Sequence, residues 1–165
     1  LELLAGAAEA VRAVNRAGYL AVLVTNQPVV ARGECSEAAL RVIHNKLETL
    51  LGREGAYLDK IYYCPHHPHS GYPGERAELK LDCACRKPKP GMIRQAAAEL
   101  GIDLTQSWMV CDSTVDVLTA HNAGIGSALV GTGNGGGDER YEAEPTFRAA
   151  HAAAATARIL AWIRG

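Results

Sequence analysis

A chain of 165 residues, 48% hydrophobic and 21% charged, has the size and composition of one globular domain with a sizeable core. Its net charge of −1 argues against nucleic-acid binding, which requires clustered Lys and Arg, and no apolar run reaches the roughly 20 residues of a membrane span. The five cysteines are an odd set, with two of them one residue apart, which favours a reduced, cytoplasmic protein with a metal site over a disulfide framework.

The first half of the chain alternates between predicted helices and strands. Apolar residues recur at helical spacing over residues 4–16, and Gly18 follows as a plausible helix C-cap. The continuously apolar run 19–24 (YLAVLV) is typical of a strand buried on both faces of a parallel sheet. Ser36 can cap a second helix, and residues 60–64 (KIYYC) predict a second strand.

The second half continues this alternation. Its predicted elements are a helix at 91–100 closed by Gly101, a strand at 108–111, a helix at 114–123 closed by Gly124, a strand at 127–131 and an Ala-rich helix at 145–163. The order predicts the α/β class: a Rossmann-like parallel sheet with helices on both faces and no large cap domain. We expect the core at 1–133, and a mobile Gly-rich loop with a C-terminal helix at 134–165.

Polar or metal-binding residue types follow three of the predicted strands. The segments are TNQ after the first strand, CPHH after the second and CDS after the third. In open parallel sheets, ligands bind at the carboxyl ends of the strands. A site is therefore expected where these three segments meet.

Two tight pairs of metal-binding residues flank a Pro/Gly-rich loop. Cys64-x-His66 is followed after sixteen residues by Cys83-x-Cys85, a Cys₃His set that is the pattern of a closed structural zinc site. The alternative is a group of unrelated cysteines and loop histidines, which two pairs at this spacing disfavour.

The identity of the histidine ligand stays open, because His66, His67 and His69 are all candidates. Cys35 and Cys111 stand alone and are expected to be non-ligands.

Candidate phosphate-binding residues follow the first strand and the cysteines. Thr25 and Asn26 can donate to an anion at a strand end, although taken alone they are more simply explained as a capped turn. Arg86 and Lys87 directly follow the last cysteine. A basic pair is usually a solvated surface, but cations held beside a rigid metal site are preorganised to stabilise a transferring phosphoryl group.

Asp112 stands at the tip of a predicted buried strand, with Asp116 one helical turn later. Such a carboxylate can bind Mg²⁺, which prefers a few carboxylates, waters and phosphate oxygens. The alternative is a cap for the helix that starts at Thr114, and both roles are compatible.

Together these motifs resemble the haloacid dehalogenase superfamily of phosphatases, and within it the branch of histidinol-phosphate and heptose-bisphosphate phosphatases. The resemblance rests on TNQPVVARG, YYCPHHP, DCACRKPKPGM and MVCDSTVD, and it runs from about residue 3 to 133. The combined CPHHP and CxCRKPxPGM motifs are highly specific for that branch.

The resemblance implies a sugar-phosphate substrate, structural zinc and catalytic magnesium. The implied roles are catalysis for Thr25, Asn26 and Lys87, substrate binding for Arg86, Gln27 and Arg32, magnesium binding for Asp112 with support from Asp116, and zinc binding for Cys64, His66, Cys83 and Cys85. It also implies two-step phosphoryl transfer through an aspartyl-phosphate. The expected partner is a small sugar phosphate, without nucleic acid or membrane, and the protein is expected to be a monomer or part of a larger fused chain.

Two positions depart from the family pattern. Cys111 replaces the glycine before the metal-binding Asp, and no DxD motif precedes TNQ. In the family that motif ends a central strand and supplies the nucleophile and the general acid. We therefore expect roughly 30 preceding residues to be missing, a gap beside the first strand, and little or no phosphatase activity of residues 1–165 alone.

Two other classes of function remain. One is a non-catalytic zinc module that binds a partner, and the other is a zinc-ribbon nucleic-acid binder, which the lack of a dense basic patch disfavours. Among phosphatase substrates, D-glycero-D-manno-heptose 1,7-bisphosphate is favoured and histidinol phosphate is the nearest alternative.

Overall fold

The computed structural model of the chain describes residues 1–68 and 74–164. In chain order the helices and strands are α1 (Ala7–Arg16), β1 (Val22–Asn26), α2 (Glu37–Arg53), β2 (Lys60–Cys64), α3 (Gly91–Leu100), β3 (Trp108–Cys111), α4 (Thr114–Ala123), β4 (Gly126–Val130), β5 (Phe147–Ala149) and α5 (Ala152–Arg164). Among the described helices, none combines the length and the apolar character that crossing a membrane would require.

Local sequence signals explain several of the helix ends. The Ser36 hydroxyl accepts a hydrogen bond from the Ala39 amide at 3.0 Å and so caps α2. Gly101 and Gly124 end α3 and α4 with positive φ angles of 65° and 72°, which glycine adopts without a steric penalty. These three boundaries confirm the predictions from sequence.

The predicted helix at 145–163 is wrong over its first residues. Residues Phe147–Ala149 form β5, which pairs in parallel with β4, and the helix begins only at Ala152. The Phe147 ring is buried against Ala155 and Ile159 of α5, so burial of this ring outweighs the helical propensity of its alanine-rich neighbours.

Both faces of the β3–β4–β5 sheet are covered by helices, as predicted. Met109 and Leu129 face α4 and α3, and the next residues along the strands, including Ala128 and Val130, face α5. The C-terminal helix therefore forms a second hydrophobic cluster, on the face of this sheet opposite α3 and α4.

The described strands form two parallel sheets, β1–β2 and β3–β4–β5. Strands β1 and β3 both line a groove of about 620 Å³, and neither has a second partner strand among the described residues. The walls carry apolar side chains such as Val24 and Met109, and Val110 is 38% exposed there. The gap predicted beside β1 is therefore present, and its edges expose unpaired backbone donors and acceptors.

Candidate active site and metal-ligand cluster

The ends of β1 and β2 bring two sequence motifs side by side. The strands are in register so that Asn26 lies opposite Cys64, and the Gln27 amide donates to the Cys64 carbonyl at 2.7 Å. Since parallel strands end at the same edge of a sheet, the TNQ and CPHH segments meet there.

The four predicted zinc ligands converge on one point. The Sγ atoms of Cys64, Cys83 and Cys85 and the Nδ1 atom of His66 all lie within 4.8 Å of one another. Cys64 is fully buried, and its sulfur lies 3.4 Å from Cys83 Sγ and 3.6 Å from His66 Nδ1. Three sulfurs and one imidazole nitrogen at this separation match the donor set of a tetrahedral zinc site.

The electrostatics of the thiols also suit a bound cation. Burial, together with the neighbouring Cys64 and Cys83 thiols, raises the pKa of Cys85, and burial raises the pKa of Cys64. Three thiols this close cannot all ionise without a compensating positive charge, which a zinc ion supplies.

Among the residues that the structure describes, the other histidines and cysteines are not part of this cluster. His67 is buried with Nδ1 3.3 Å from Lys80 Nζ, and His69 lies outside the described residues. Burial raises the pKa of Cys111 to about 12, and its thiol contacts the Ala128 carbonyl at 3.6 Å within the core. Cys35 contacts the backbone of Ser36.

The segment after β1 packs closely against the loop between β2 and α3, which carries three of the four predicted zinc ligands and is called the metal loop. A β-carbon at Gly33 would lie 1.8 Å from the Gly74 carbonyl oxygen, so only glycine permits this approach. The Arg76 amide donates to the Ala31 carbonyl at 2.8 Å. Ala31 is fully buried, so the two segments form one packed unit.

Arg86 and Lys87 directly follow the last residue of the metal-ligand cluster, and their side chains bond to different partners. The Arg86 guanidinium donates to the His66 carbonyl through Nη1 at 3.3 Å. Lys87 forms an ion pair with Asp116 of α4 in which both side chains are nearly buried, and a hydroxyl hydrogen bond from Ser113 at 2.7 Å holds the second Asp116 oxygen. Lys87 is thus fixed at the groove between β1 and β3, where it lines the wall with Asp112.

The Gly-rich segment wraps around Asp112 at the end of β3. The Asn134 amide donates to Asp112 Oδ2 at 2.8 Å, and the Gly136 amide donates to the Asp112 carbonyl at 2.8 Å. Asp138 then accepts hydrogen bonds from the Thr114 amide and hydroxyl at 2.8 and 2.6 Å. The segment that the sequence suggests to be mobile is therefore anchored to the N-terminus of α4 and to a candidate magnesium ligand.

Three residues predicted to bind phosphate or substrate bond to other protein side chains in the structure. They are Thr25, Gln27 and Arg32. Gln27 Nε2 donates to Thr25 Oγ1 at 3.1 Å, so these two side chains lie together at the end of β1. Arg32 forms an ion pair with Glu34 at 3.2 Å, with 26% of its side chain exposed.

Sequence reasoning missed Asn134 and Asp138 because a Gly-rich stretch resembles a linker. A signal was present, since an Asp after several glycines can cap a nearby helix. The capping role of Ser113 was missed as well, although Ser three residues before Asp116 matches the capping-box pattern.

Comparison with known proteins gives one family-model match and a set of close relatives. The HAD-hydrolase-like family model matches residues 84–155. D-glycero-beta-D-manno-heptose-1,7-bisphosphate 7-phosphatase of Pasteurella multocida is 44% identical over 129 residues, which are 78% of this chain and 67% of the relative. The Vibrio cholerae enzyme of the same name is 42% identical over 125 residues, 76% of this chain and 65% of the relative. The chain thus spans about two thirds of the length of these relatives.

A solved structure is similar over nearly the whole chain. The D,D-heptose 1,7-bisphosphate phosphatase from B. bronchiseptica, complexed with magnesium and phosphate, superposes with a TM-score of 0.81 at 35% identity. The match covers 96% of this chain and 84% of that one.

Proposed function

The chain belongs to the haloacid dehalogenase-like phosphatases, and on that basis we propose that it carries the phosphate-binding part of a phosphatase acting on D-glycero-β-D-manno-heptose 1,7-bisphosphate. The observation that carries the proposal is the arrangement at the groove. Lys87, held by Asp116, and the carboxylate of Asp112 line the same groove at the carboxyl end of β3. A fixed cation beside a candidate magnesium ligand is the arrangement that a transferring phosphoryl group requires.

The residues of this chain position the phosphate and balance its charge. Lys87 neutralises the phosphate, the Thr25 hydroxyl donates to a phosphoryl oxygen, and Arg86 binds the part of the substrate beyond it. Because Lys87 is in place before the substrate binds, it stabilises charge in the transition state without reorganisation.

Asp112 has the chemistry of a magnesium ligand. It is a carboxylate at a strand end on the wall of a groove, and Mg²⁺ in proteins combines one or two carboxylates with waters and substrate phosphates. When bound, Mg²⁺ offsets negative charge on the phosphoryl oxygens. Asp116 supports the site by holding Lys87, its partner in the structure.

The cluster of Cys64, His66, Cys83 and Cys85 would hold structural zinc. Four protein donors fill the coordination of a tetrahedral zinc ion and leave no position for a substrate or water. Zinc would therefore order the loop between β2 and α3 and take no part in the chemistry. A thiolate-bound metal suits the reducing cytoplasm.

The nucleophile would come from a strand that fills the groove between β1 and β3. Adjacent strands lie about 4.8 Å apart, and a single parallel strand could pair with both exposed edges and join the two sheets. An Asp at its carboxyl end would emerge beside Lys87 and Asp112. Attack of that carboxylate on phosphorus would expel the sugar alkoxide, which a second acid protonates, and water would then hydrolyse the aspartyl-phosphate.

Phosphate release from a substrate panel tests the proposal. The protein that includes the proposed nucleophile strand, called the full-length protein, is assayed with three substrates. They are heptose 1,7-bisphosphate, heptose 7-phosphate and histidinol phosphate, each with and without Mg²⁺. We expect Mg²⁺-dependent turnover of the bisphosphate that Lys87→Ala lowers by about 100-fold or more. Lack of turnover of any phosphate ester by a folded, metal-loaded protein would favour a non-catalytic zinc module. Preference for histidinol phosphate would replace the substrate assignment.

A further inference from the structure

Lys87 is attached to the end of β1 through its own peptide groups. The Asn26 side-chain amide donates through Nδ2 to the Lys87 carbonyl at 3.2 Å, and Asn26 Oδ1 accepts from the Lys87 amide at 3.0 Å. This reciprocal pair fixes both the position and the direction of the Lys87 backbone.

The pair engages both polar groups of the Asn26 side chain. A primary carboxamide has one oxygen and one NH₂ group, and both are engaged by Lys87. The side chain of Lys87 is held at its other end by Asp116 of α4. The lysine is thus fixed by two core elements, β1 and α4, and its own bonds to the described residues include none to a side chain of the metal-ligand cluster.

Arg86 depends on the metal-ligand cluster instead. Its guanidinium contacts the carbonyl of His66, and His66 Nδ1 lies 3.3 Å from Cys85 Sγ within the cluster. A change that releases His66 therefore releases the partner of Arg86, while the two attachments of Lys87 stay in place.

Resting on the proposed phosphatase function, we infer that Asn26 is a positioning residue for Lys87 and that the metal-ligand cluster positions Arg86 alone. Two cations that are adjacent in sequence are thus positioned by separate sets of contacts. The contact of Asn26 with Lys87 determines kcat, because Lys87 faces the transferring phosphate. The metal-ligand cluster determines KM, because Arg86 binds the remainder of the substrate.

The chain offers a matched control for the Asn26 pair. Asn15 Nδ2 donates to the Tyr57 carbonyl at 3.0 Å, and Asn15 Oδ1 accepts from the Tyr57 amide at 3.0 Å. This is the same reciprocal bond between a carboxamide and one residue's peptide groups, located at the end of α1. Asn15 does not itself line the groove, so substituting it removes an equivalent pair of hydrogen bonds away from Lys87.

The first measurement is steady-state kinetics of the full-length protein with heptose 1,7-bisphosphate. Asn26→Leu keeps the side-chain size and removes both hydrogen bonds. We expect kcat to fall by about 10- to 100-fold with KM changed by less than about threefold, because a misplaced catalytic group loses transition-state binding only. Asn15→Leu should leave both parameters within about twofold. Arg86→Ala should raise KM by about tenfold or more, with a smaller effect on kcat.

The second measurement follows the Lys87 amide directly by hydrogen exchange in ¹⁵N-lysine-labelled protein. Exchange should be faster by about tenfold or more in Asn26→Leu and unchanged in Asn15→Leu and Arg86→Ala. Cys83→Ser, which weakens the cluster, should also leave this exchange rate unchanged.

Equal acceleration of Lys87 amide exchange in Cys83→Ser and Asn26→Leu would overturn the inference that Lys87 is positioned independently of the metal-ligand cluster. A fall in kcat for Asn15→Leu as large as for Asn26→Leu would show that both act only through stability. If the wild-type protein hydrolyses no sugar phosphate, the proposed function fails, and the exchange data still decide whether Asn26 holds Lys87.

Discussion

Gly133 lies against the carboxylate of Asp112. A β-carbon at Gly133 would come within 2.3 Å of Asp112 Oδ2, and Gly133 has a φ of +64° that L-residues rarely adopt. Any side chain here must displace either the Gly-rich loop or the carboxylate. The orientation of the candidate magnesium ligand therefore depends on a glycine that makes no contact with substrate in the proposed mechanism.

Gly133→Ala is expected to weaken Mg²⁺ binding by about tenfold or more, because the new methyl group moves Asp112. Isothermal titration of the full-length protein with Mg²⁺ measures the affinity. Gly101→Ala is the control, since Gly101 has a similar φ of +65° with open space around its Cα. An unchanged Mg²⁺ affinity in Gly133→Ala, or an equal loss in Gly101→Ala, would contradict the role of this contact.

The purified protein is expected to hold about one zinc ion per chain at the Cys₃His cluster. Cys83→Ala should lower the zinc content well below half and raise KM for the sugar phosphate by about tenfold, because the loop that holds Arg86 loosens. Metal analysis by mass spectrometry and steady-state kinetics check this. Cys35→Ala removes a cysteine outside the cluster and should change neither quantity. Full zinc occupancy in Cys83→Ala would remove Cys83 from the ligand set.

The charge of Asp138 is expected to stabilise the fold only when the carboxyl is ionised. Burial alone would raise its pKa, but hydrogen bonds from Thr114 and Val115 outweigh burial and lower the pKa below its usual value. Its contribution is thus complete above the ordinary Asp value of about 3.9 and is lost as the pH falls through the lowered value.

Asp138→Asn should therefore reduce the free energy of unfolding at neutral pH by roughly 0.3–1 kcal/mol, the usual effect of a charge at a helix N-terminus. The difference from wild type should shrink at the lowest pH at which both proteins stay folded. Urea unfolding at both pH values measures it, with Glu142→Gln as a control for loss of one exposed negative charge. A difference that grows on acidification would have the wrong sign.

The groove between β1 and β3 is expected to be filled by a strand in the full-length protein. Val110, 38% exposed here, would then be buried, and Val110→Lys should cost about 3 kcal/mol or more of unfolding free energy. Val42→Lys, at a valine of α2 that is 66% exposed, should stay within about 0.5 kcal/mol. Denaturant unfolding compares the two variants, and equal effects would mean that the groove stays open.

Much of the fold was predictable because local residues mark where its helices and strands begin and end. The bounds of β2, α3, β3 and α4 match the predictions to the residue, helped by the glycines that close α3 and α4. β5 was not predictable, since three residues (Phe147–Ala149) are too few to show a period, and only the burial of Phe147 against α5 reveals it.

The candidate site divides in the same way. The three cysteines of the cluster were predictable because metal ligands must come in a particular number, type and spacing, whereas the choice among His66, His67 and His69 stayed open in the sequence. The pairing of Asn26 with Lys87 was not, because it joins residues 61 positions apart through a geometry that no local pattern encodes. Asp116 was predicted as support for magnesium, and in the structure its partner is Lys87.

The close approach of Gly33 to Gly74 has a consequence for protein engineering. At Gly33 the segment after β1 and the metal loop leave no space for a methyl group, so a grafted loop with a different backbone path near Gly74 would clash unless its counterpart came with it. Chimeras designed to exchange substrate preference should therefore transplant both segments as one cassette. Random libraries that diversify the segment after β1 should keep glycine at position 33.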